Sequence, residues 1–446
     1  MIKKLRFTLE LYLNYLKRHW ILLVAGFLIG SLFFVFRNRL IAFYQNQFKS
    51  NRVVGIEGLY TSKNLPSEIL AKSSYGLFVN QENDKPLISP LVKSYDIQNN
   101  NLDYVIDLNN EILWHNGKKF TAYDISYNIS GVKIEPISDT RVKISLNKTF
   151  VPILSALTKP LFLNKNLVGL GEYSIKQITY SESYFKQITI TPTDKNNPNS
   201  ITYKFYPGTD DVINAYKLGE IDEMETNYLP PEMTTWANTK TTQKIQSDKK
   251  YAAVFINTSK LESKSLRQAL AYATPKTTDK NERCLGPIPP NSWAYNPSVK
   301  EYLYNPTRAK ELISGNKIEK LNLSITDRKL LPIAEKIRDS WEQNLGIKTT
   351  ITVENRIDNQ NYDTVLAYSG IPSDPDQYSF WHSTQTETNI THLNNSRIDK
   401  LLEDGRTQTD IAERRKTYLD FQQFLSEESP AIFLFYPTSY TFSRIK

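Results

Sequence analysis

The chain has 446 residues with 40% hydrophobic and 12% aromatic content, enough for two or three ordinary cores and too apolar for a disordered polypeptide. Its formal charge of +8 is not spread evenly: residues 1–44 carry seven Lys or Arg against Glu10, and the remaining 402 hold 48 basic and 46 acidic residues, which excludes a body built to track nucleic-acid phosphates. The single cysteine, Cys284, excludes an intrachain disulfide and a multi-cysteine zinc cage.

From Trp20 to Phe36 the sequence WILLVAGFLIGSLFFVF runs 17 residues without a charge, which reaches the lower end of the roughly 17 to 25 needed for a spanning helix. Arg37 and Arg39 follow and can snorkel to the interface, with LIAFY beyond them. No small-residue cleavage site follows the apolar run and no cysteine is there to be lipidated, so the segment is expected to stay attached. Five basic residues precede it and two follow. The positive-inside rule therefore puts 1–19 in the cytoplasm, 20–36 in the membrane as an anchor, 37–49 outside as a tether, and the rest of the chain in the extracytoplasmic space.

The outer body starts near residue 50. VVGIEGLY (53–60) reads as a strand, and LPSEILAKSSYGLF (65–78) opens a helix with Pro66 and Ser67 at its first turn. LDYVIDL (102–108) alternates apolar and polar residues as a half-buried strand does. Turns follow at Asn109-Asn110 and Asn116-Gly117, and Thr121 to Asp124 forms a T-x-x-D capping box for a short helix carrying Ile125 and Ile129. His115 and Asp124 in this stretch thus have turn and cap roles available without any chemistry. Further on, Asn305-Pro306 caps a helix. LNLSIT (321–326), a helix with Ile333, Ile337, Trp341 and Leu345 at spacing four, Gly346 and then IKTTITV make a β-α-β unit. Thr409-Asp410 opens a long helix ending near Glu428. Alternating strands and helices joined by short loops predict α/β lobes whose sheets are covered by helices.

WHNGKKFTAYDI (114–125) resembles the W-x-D-G-x-x-F-T-A-x-D-V signature of the family 5 solute-binding proteins of ABC importers, which include dipeptide, oligopeptide and nickel receptors. Trp114, Gly117, Phe120, Thr121, Ala122 and Asp124 match, while Asn116 and Ile125 replace the family's aspartate and valine. GLGEYSI (169–175), AYKLGEID (215–222), the run from Ala252 to Thr274 and LGPIPPNSWAYNP (285–297) follow in the family's order. So do YNPTRAKELI (304–313), the run 333–353, YDTVLAYSGIPSDPDQYSFWHS (362–383) and the run 396–436. The resemblance implies a two-lobed periplasmic-binding-protein fold of class II. Lobe I would comprise 50–79, 169–257 and 429–446, a reduced accessory domain 80–168, and lobe II 258–428, with the chain crossing between lobes near Asn257 and Pro430. It also implies a peptide or other small polar solute as ligand, closure of the lobes around it, and ABC permease and ATPase subunits as partners.

Motif by motif, no enzyme is indicated. His115, His382 and His392 form no HExxH, no G-x-S-x-G elbow is present, and GLGEYS breaks G-x-G-x-x-G at Ser174, so no catalytic residue, metal or cofactor is expected. In the peptide-binding members of the family an aspartate after the strand matching VLAYSG pairs with the ligand's α-ammonium. Here that position is Ile371, and the first acids come later, at Asp374 and Asp376. Three readings stay open: one of these aspartates reaches the charge from a displaced loop, the ligand has no free amino terminus, or both aspartates only shape the turn. The matched positions also make Tyr60 and Tyr75 of lobe I, Trp293, Tyr295 and Asn296 of the facing loop, and Tyr368 and Ser369 at a strand end candidate ligand contacts, the aromatic rings offering area with a polar tip. The alternative function is a sensory or interaction protein that keeps the fold without transport.

Overall fold

The computed structural model describes residues 18–21, 30–31, 36, 51–79, 87–163, 167–277, 279–315, 318–354 and 362–445. The expected cytoplasmic segment, anchor and tether lie outside the described residues, save for Arg18 to Ile21, Gly30, Ser31 and Phe36. Among the described residues no helix is long and apolar enough to cross a membrane.

The body opens with β1 (Asn51–Glu57), which stops at Gly58, whose φ of +123° only glycine adopts at ease. Helix α1 (Ser67–Ser73) follows, and then a small unit whose hydrophobic core is its own. That unit contains β2 (Phe78–Val79), β3 (Leu87–Ile88), β4 (Val92–Gln98), β5 (Asp103–Leu108), β6 (Val132–Ser138), β7 (Arg141–Leu146) and α2 (Ile153–Ala156). Strands β4, β5, β7 and β6 lie in that order as an antiparallel sheet. Tyr104, Ile106 and Leu108 of β5 are buried, and Asp103, Val105 and Asp107 alternate with them on the outer face, as a strand with one wet side requires.

The WHNGKKFTAYDI stretch is a corner of this unit. Trp114 is buried and packs edge-to-face on Phe120, with ring centres 5.7 Å apart. Thr121 and Asp124 form the expected capping box, the Asp124 carboxylate accepting from the Thr121 backbone N–H at 2.9 Å. The helix it starts is a single 3₁₀ turn, Ala122–Asp124, and Ile125 is already extended, so Ile125 and Ile129 do not share a helix face. The His115 imidazole reaches the Gly171 carbonyl at 2.9 Å and ties this corner to the segment that leads back into the larger sheet.

That segment opens β8 (Tyr173–Ser181), followed by β9 (Tyr184–Pro192), β10 (Ser200–Tyr206), α3 (Thr209–Lys217), β11 (Glu223–Thr226) and β12 (Thr239–Ile245). Beyond it lie β13 (Lys250–Ile256), α4 (Lys264–Ala273), α5 (Pro306–Ile313), β14 (Lys320–Ile325), α6 (Leu331–Leu345), β15 (Lys348–Val353) and β16 (Thr364–Gly370). The last elements are α7 (Tyr378–Trp381), α8 (Ser396–Thr407), α9 (Ile411–Glu428), β17 (Ala431–Phe435) and β18 (Thr438–Arg444).

These strands form two larger sheets, of order β12-β18-β11-β1-β10-β9-β8 and β15-β14-β16-β13-β17. In the first, β1 runs parallel to both β10 and β11; in the second, β14 runs parallel to β15 and β16. Local chemistry accounts for the helices of the second lobe. Asn305 accepts from the Arg308 N–H at the start of α5, Asp410 accepts from Ala412 and Glu413 at the start of α9, and Gly346 ends α6 at φ +69°. Strand β13, KYAAVFI, is buried along nearly its whole length because it is paired on both edges and covered on both faces.

That burial corrects one expectation. The crossings between lobes were expected near Asn257 and Pro430, but β13 lies between β16 and β17 in the second sheet and pairs with both. The chain therefore passes between sheets at 246–249 and at 436–437, one strand earlier and one strand later than expected. An apolar strand such as β13 could end either sheet, and only its pairing decides which.

Candidate ligand-binding site

Parallel strands leave their carboxyl ends free to receive a ligand, because helices and loops, not hairpins, continue from them. In the first sheet β1 ends at Glu57; in the second, β14 ends at Ile325 and is followed by Thr326 to Lys329. The Lys329 ammonium donates to both Glu57 carboxylate oxygens, at 2.7 and 2.8 Å, so these two ends face each other across the gap between the lobes. The pair is about one-third exposed on each side, at 35% and 30%.

A cavity of about 380 Å³ opens on the second lobe at this place. Thr326 and the run Ala367 to Ser369 supply its wall at the strand ends. Tyr251 and Phe255 of β13 and Trp381 of α7 make an aromatic floor, and all three are buried. Phe380, Glu387, Thr388, Ile390 and Thr391 complete the rim from the loop side. The Trp381 indole N–H is buried and has no hydrogen-bond partner in the protein. Burial, reinforced by the charge of Asp327, pushes the Tyr368 hydroxyl up to about 12, so it stays a neutral donor at physiological pH. The Lys250 ammonium sits 4.9 Å from the centre of the Tyr368 ring, and burial lowers its pKa.

The residues singled out from sequence distribute as follows. Tyr368 and Ser369 line the cavity. Tyr60 stands on the opposite lobe, its hydroxyl donating to the Glu57 carbonyl at 2.9 Å and its ring against Phe205. Tyr75 packs against the core of the accessory unit, with Glu172 beside its hydroxyl. Trp293, Tyr295 and Asn296 belong to the packing of lobe II. Trp293 meets Tyr418 edge-to-face, and Tyr295 packs on the same core. Asn296 donates its side-chain amide to the Leu419 carbonyl at 2.9 Å and its backbone N–H to Gln422 Oε1, and its side-chain oxygen accepts from the Ser298 N–H, so its polar atoms are taken.

The aspartates are also taken. Asp374 accepts two hydrogen bonds from the buried Arg414 guanidinium, at 2.6 and 3.0 Å, and Asp376 accepts from Arg406 Nε at 3.0 Å. Burial would lower Arg414, but Asp374 and the Tyr418 hydroxyl outweigh it and hold the guanidinium above its ordinary value. Burial raises Asp376 even with Arg406 beside it. Both carboxylates are therefore paired within the lobe, by arginines 30 and 40 residues away. Ile371 packs against the same core and its N–H donates to the Lys249 carbonyl, at the inter-lobe crossing.

Sequence reasoning missed Tyr251, Phe255, Phe380, Trp381 and Glu387. Tyr251 and Phe255 carry a signal in retrospect, since residues four apart on a strand share a face, but a core face reads the same way. Glu387 lies in STQTETN, a polar loop with no periodicity to mark it.

A second cavity, about 680 Å³, separates the accessory unit from lobe II between Leu146–Phe150 and α8. Its wall includes Arg406, which is paired with Asp376 and held between the Phe150 and Tyr378 rings, 4.7 and 4.2 Å from their centres. Among the described residues no group of three or more His, Cys, Asp or Glu could hold a metal ion.

Comparison with known proteins places this arrangement. Residues 87–391 match the model described as bacterial extracellular solute-binding proteins, family 5 Middle. Heme-binding protein A of Haemophilus influenzae is 25% identical, the match covering 77% of each chain. Among solved structures, NikZ from Campylobacter jejuni in complex with Ni(L-His) superimposes with a TM-score of 0.75 at 21% identity, covering 89% of this chain and 94% of that one. The oligopeptide-binding protein AppA from Bacillus subtilis, in complex with a nonapeptide, gives 0.73 at 20% identity with the same coverage. The fold is thus the mixed α/β fold of these periplasmic-type binding proteins.

Proposed function

The chain belongs to the bacterial extracellular solute-binding proteins of family 5, and from that membership we propose that it is the solute receptor of an ATP-driven importer, held at the extracytoplasmic face of the cell membrane by the segment 20–36. Its relatives are binding proteins and not enzymes, so no covalent step enters the reading. The ligand is a short peptide or peptide-like solute, taken up between the two large sheets, around which the lobes close by rotation at 246–249 and 436–437 before delivery to permease and ATPase subunits.

The observation that carries this reading is the cavity of about 380 Å³ at the facing strand ends, a size within the range of roughly 300 to 1,000 Å³ usual for small-ligand pockets. Its aromatic floor suits apolar side chains, and its threonine and serine groups suit a polar backbone. A sensory protein that had given up binding would fill this space with its own side chains; the open volume supports the receptor.

The test uses the full chain in detergent. Short peptides, sugars and a nickel–histidine chelate are screened by thermal stabilisation. Spin labels on Leu218→Cys and Lys310→Cys, both at exposed positions on opposite lobes, report the distance between lobes, with Cys284 too buried to react. Peptides are expected to raise the melting temperature and shorten that distance. A panel in which no probe does either would overturn the receptor reading.

A further inference from the structure

We propose that a small inorganic anion, with the size and single charge of a halide, binds in lobe II between Lys276 and Arg283, at a site separate from the solute cavity.

Both side chains line a cavity of about 20 Å³ between the end of α4 and strand β17. Their donors go to main-chain carbonyls. Among the described residues the Lys276 ammonium donates to the Ala271 and Thr274 carbonyls, capping α4, which leaves its third N–H. Arg283 Nη1 donates to the Cys284, Phe433 and Leu434 carbonyls, and Nη2 to that of Glu301. The Arg283 Nε–H is buried and has no hydrogen-bond partner, a state that an occupant of the cavity would relieve.

The charge is left over as well. Carbonyl oxygens lend partial charges and do not cancel two cations. Glu301 shares the cavity wall, but it is exposed, and it is its main chain that meets Arg283. Burial pushes the Cys284 thiol up to about 11, so it adds no negative charge at physiological pH. Lys300 brings a third positive group to the wall, 4.6 Å from the centre of the Tyr302 ring. Burial and the Arg283 charge together hold the Lys276 ammonium well below the ordinary lysine value, the mark of like charges drawn out of water without a counter-charge.

Size and charge then choose the occupant. One water needs about 10–15 Å³, and a cavity of about 20 Å³ admits a chloride or bromide ion, little larger than water, while excluding an organic acid. A water molecule would satisfy the two donors and leave the charge unmatched; a halide does both. Because Arg283 holds β17 by its carbonyls just before the crossing at 436–437, the anion ties the end of α4 to the strand that leads into that crossing.

The experiment follows thermal unfolding of the full chain in detergent, in sodium chloride, bromide and gluconate at one ionic strength of about 0.15 M, and locates bromide in crystals by its anomalous scattering. Chloride and bromide are expected to raise the melting transition by about 3 °C or more over gluconate, saturating with concentration. Arg283→Gln would strip four carbonyls of their donor, so Lys276→Met is the cleaner variant and is expected to abolish the halide effect. Lys310→Met, at an exposed position of the same lobe, is expected to keep it. A bromide peak between Lys276 and Arg283 together with the saturable effect supports the inference, and the wild-type measurements decide even if Lys276→Met does not fold. Equal melting in the three salts, or water and no bromide at the site, overturns it. A bromide peak with no halide effect on melting marks an adventitious ion only and overturns it too. Every one of these results leaves the receptor reading standing.

Discussion

Arg414→Ala isolates the role of Asp374. In the native lobe the Arg414 side chain is 4% exposed and Asp374 15%. The guanidinium donates twice to Asp374, once to the Gly405 carbonyl at 2.6 Å and once to the Tyr418 hydroxyl at 3.3 Å. Truncation does not orphan Gly405, because Tyr418 Oη also donates to that carbonyl at 3.1 Å. The loss therefore falls on Asp374, which keeps only the backbone N–H of Asp376. Leaving one partner of a buried pair uncompensated costs about 3–5 kcal/mol. At about 2–4 °C per kcal/mol for a unit of this size, the melting transition of lobe II should fall by roughly 6–20 °C. Asp374→Asn, which removes the charge but keeps an acceptor, should cost less than Arg414→Ala. The assay is calorimetry on the full chain, paired with peptide binding measured below the lowered transition. If Asp374→Asn melts like the wild type yet abolishes binding, Asp374 belongs to the ligand, and the reasoning that assigns it to Arg414 is refuted.

Three further outcomes are expected. His115 is half-buried, its Nδ1 has no partner, and burial lowers its pKa below the usual 6.5; the unfolded chain then binds more protons below that value, so stability should fall as pH drops from about 7 to 5. His115→Gln should flatten that slope and leave peptide binding unchanged; a slope as steep as the wild type's would show that the imidazole is not its origin. Glu57→Gln should change overall stability by less than about 1 kcal/mol, the pair being partly exposed, yet lengthen the spin-label distance between lobes, as should salt at about 0.5 M; an unaltered distance would mean the pair does not hold the lobes. At Gly169 an added Cβ would collide with the backbone carbonyl of Ser73, so Gly169→Ala should cost about 1–3 kcal/mol or more, whereas Gly286→Ala, which meets open space, serves as the control and should be near neutral.

What the sequence disclosed depended on how far each signal travels along the chain. Asn305, Gly346 and Asp410 act on the few residues beside them, and the helices they bound lie where they were expected. The alternation in LDYVIDL likewise reports its own strand. Asp374 and Asp376 were opaque because their partners lie on α8 and α9, and nothing in S-D-P-D-Q says that two arginines turn back toward it. The crossings were misplaced for a related reason: YAAVFI and AIFLF are apolar enough for either sheet, and only pairing, of the first to β16 and of the second to the first, fixes them in the second. The cavity combines both difficulties, since Tyr251 looks like core and Glu387 like loop until the fold sets them on one surface.

The strand order of the first sheet carries a consequence for biosynthesis. Strand β12 touches that sheet only through β18, which lies between it and β11, yet β18 begins at Thr438, long after β12 ends at Ile245. At about 5–20 residues per second, a ribosome needs roughly 10–40 s to make the intervening stretch. Throughout that interval β11 has an open edge and β12 has nowhere to dock. A nascent chain of this design spends its longest wait with an incomplete first lobe, and the machinery that exports it has that interval in which to keep the open edge from pairing with the wrong strand.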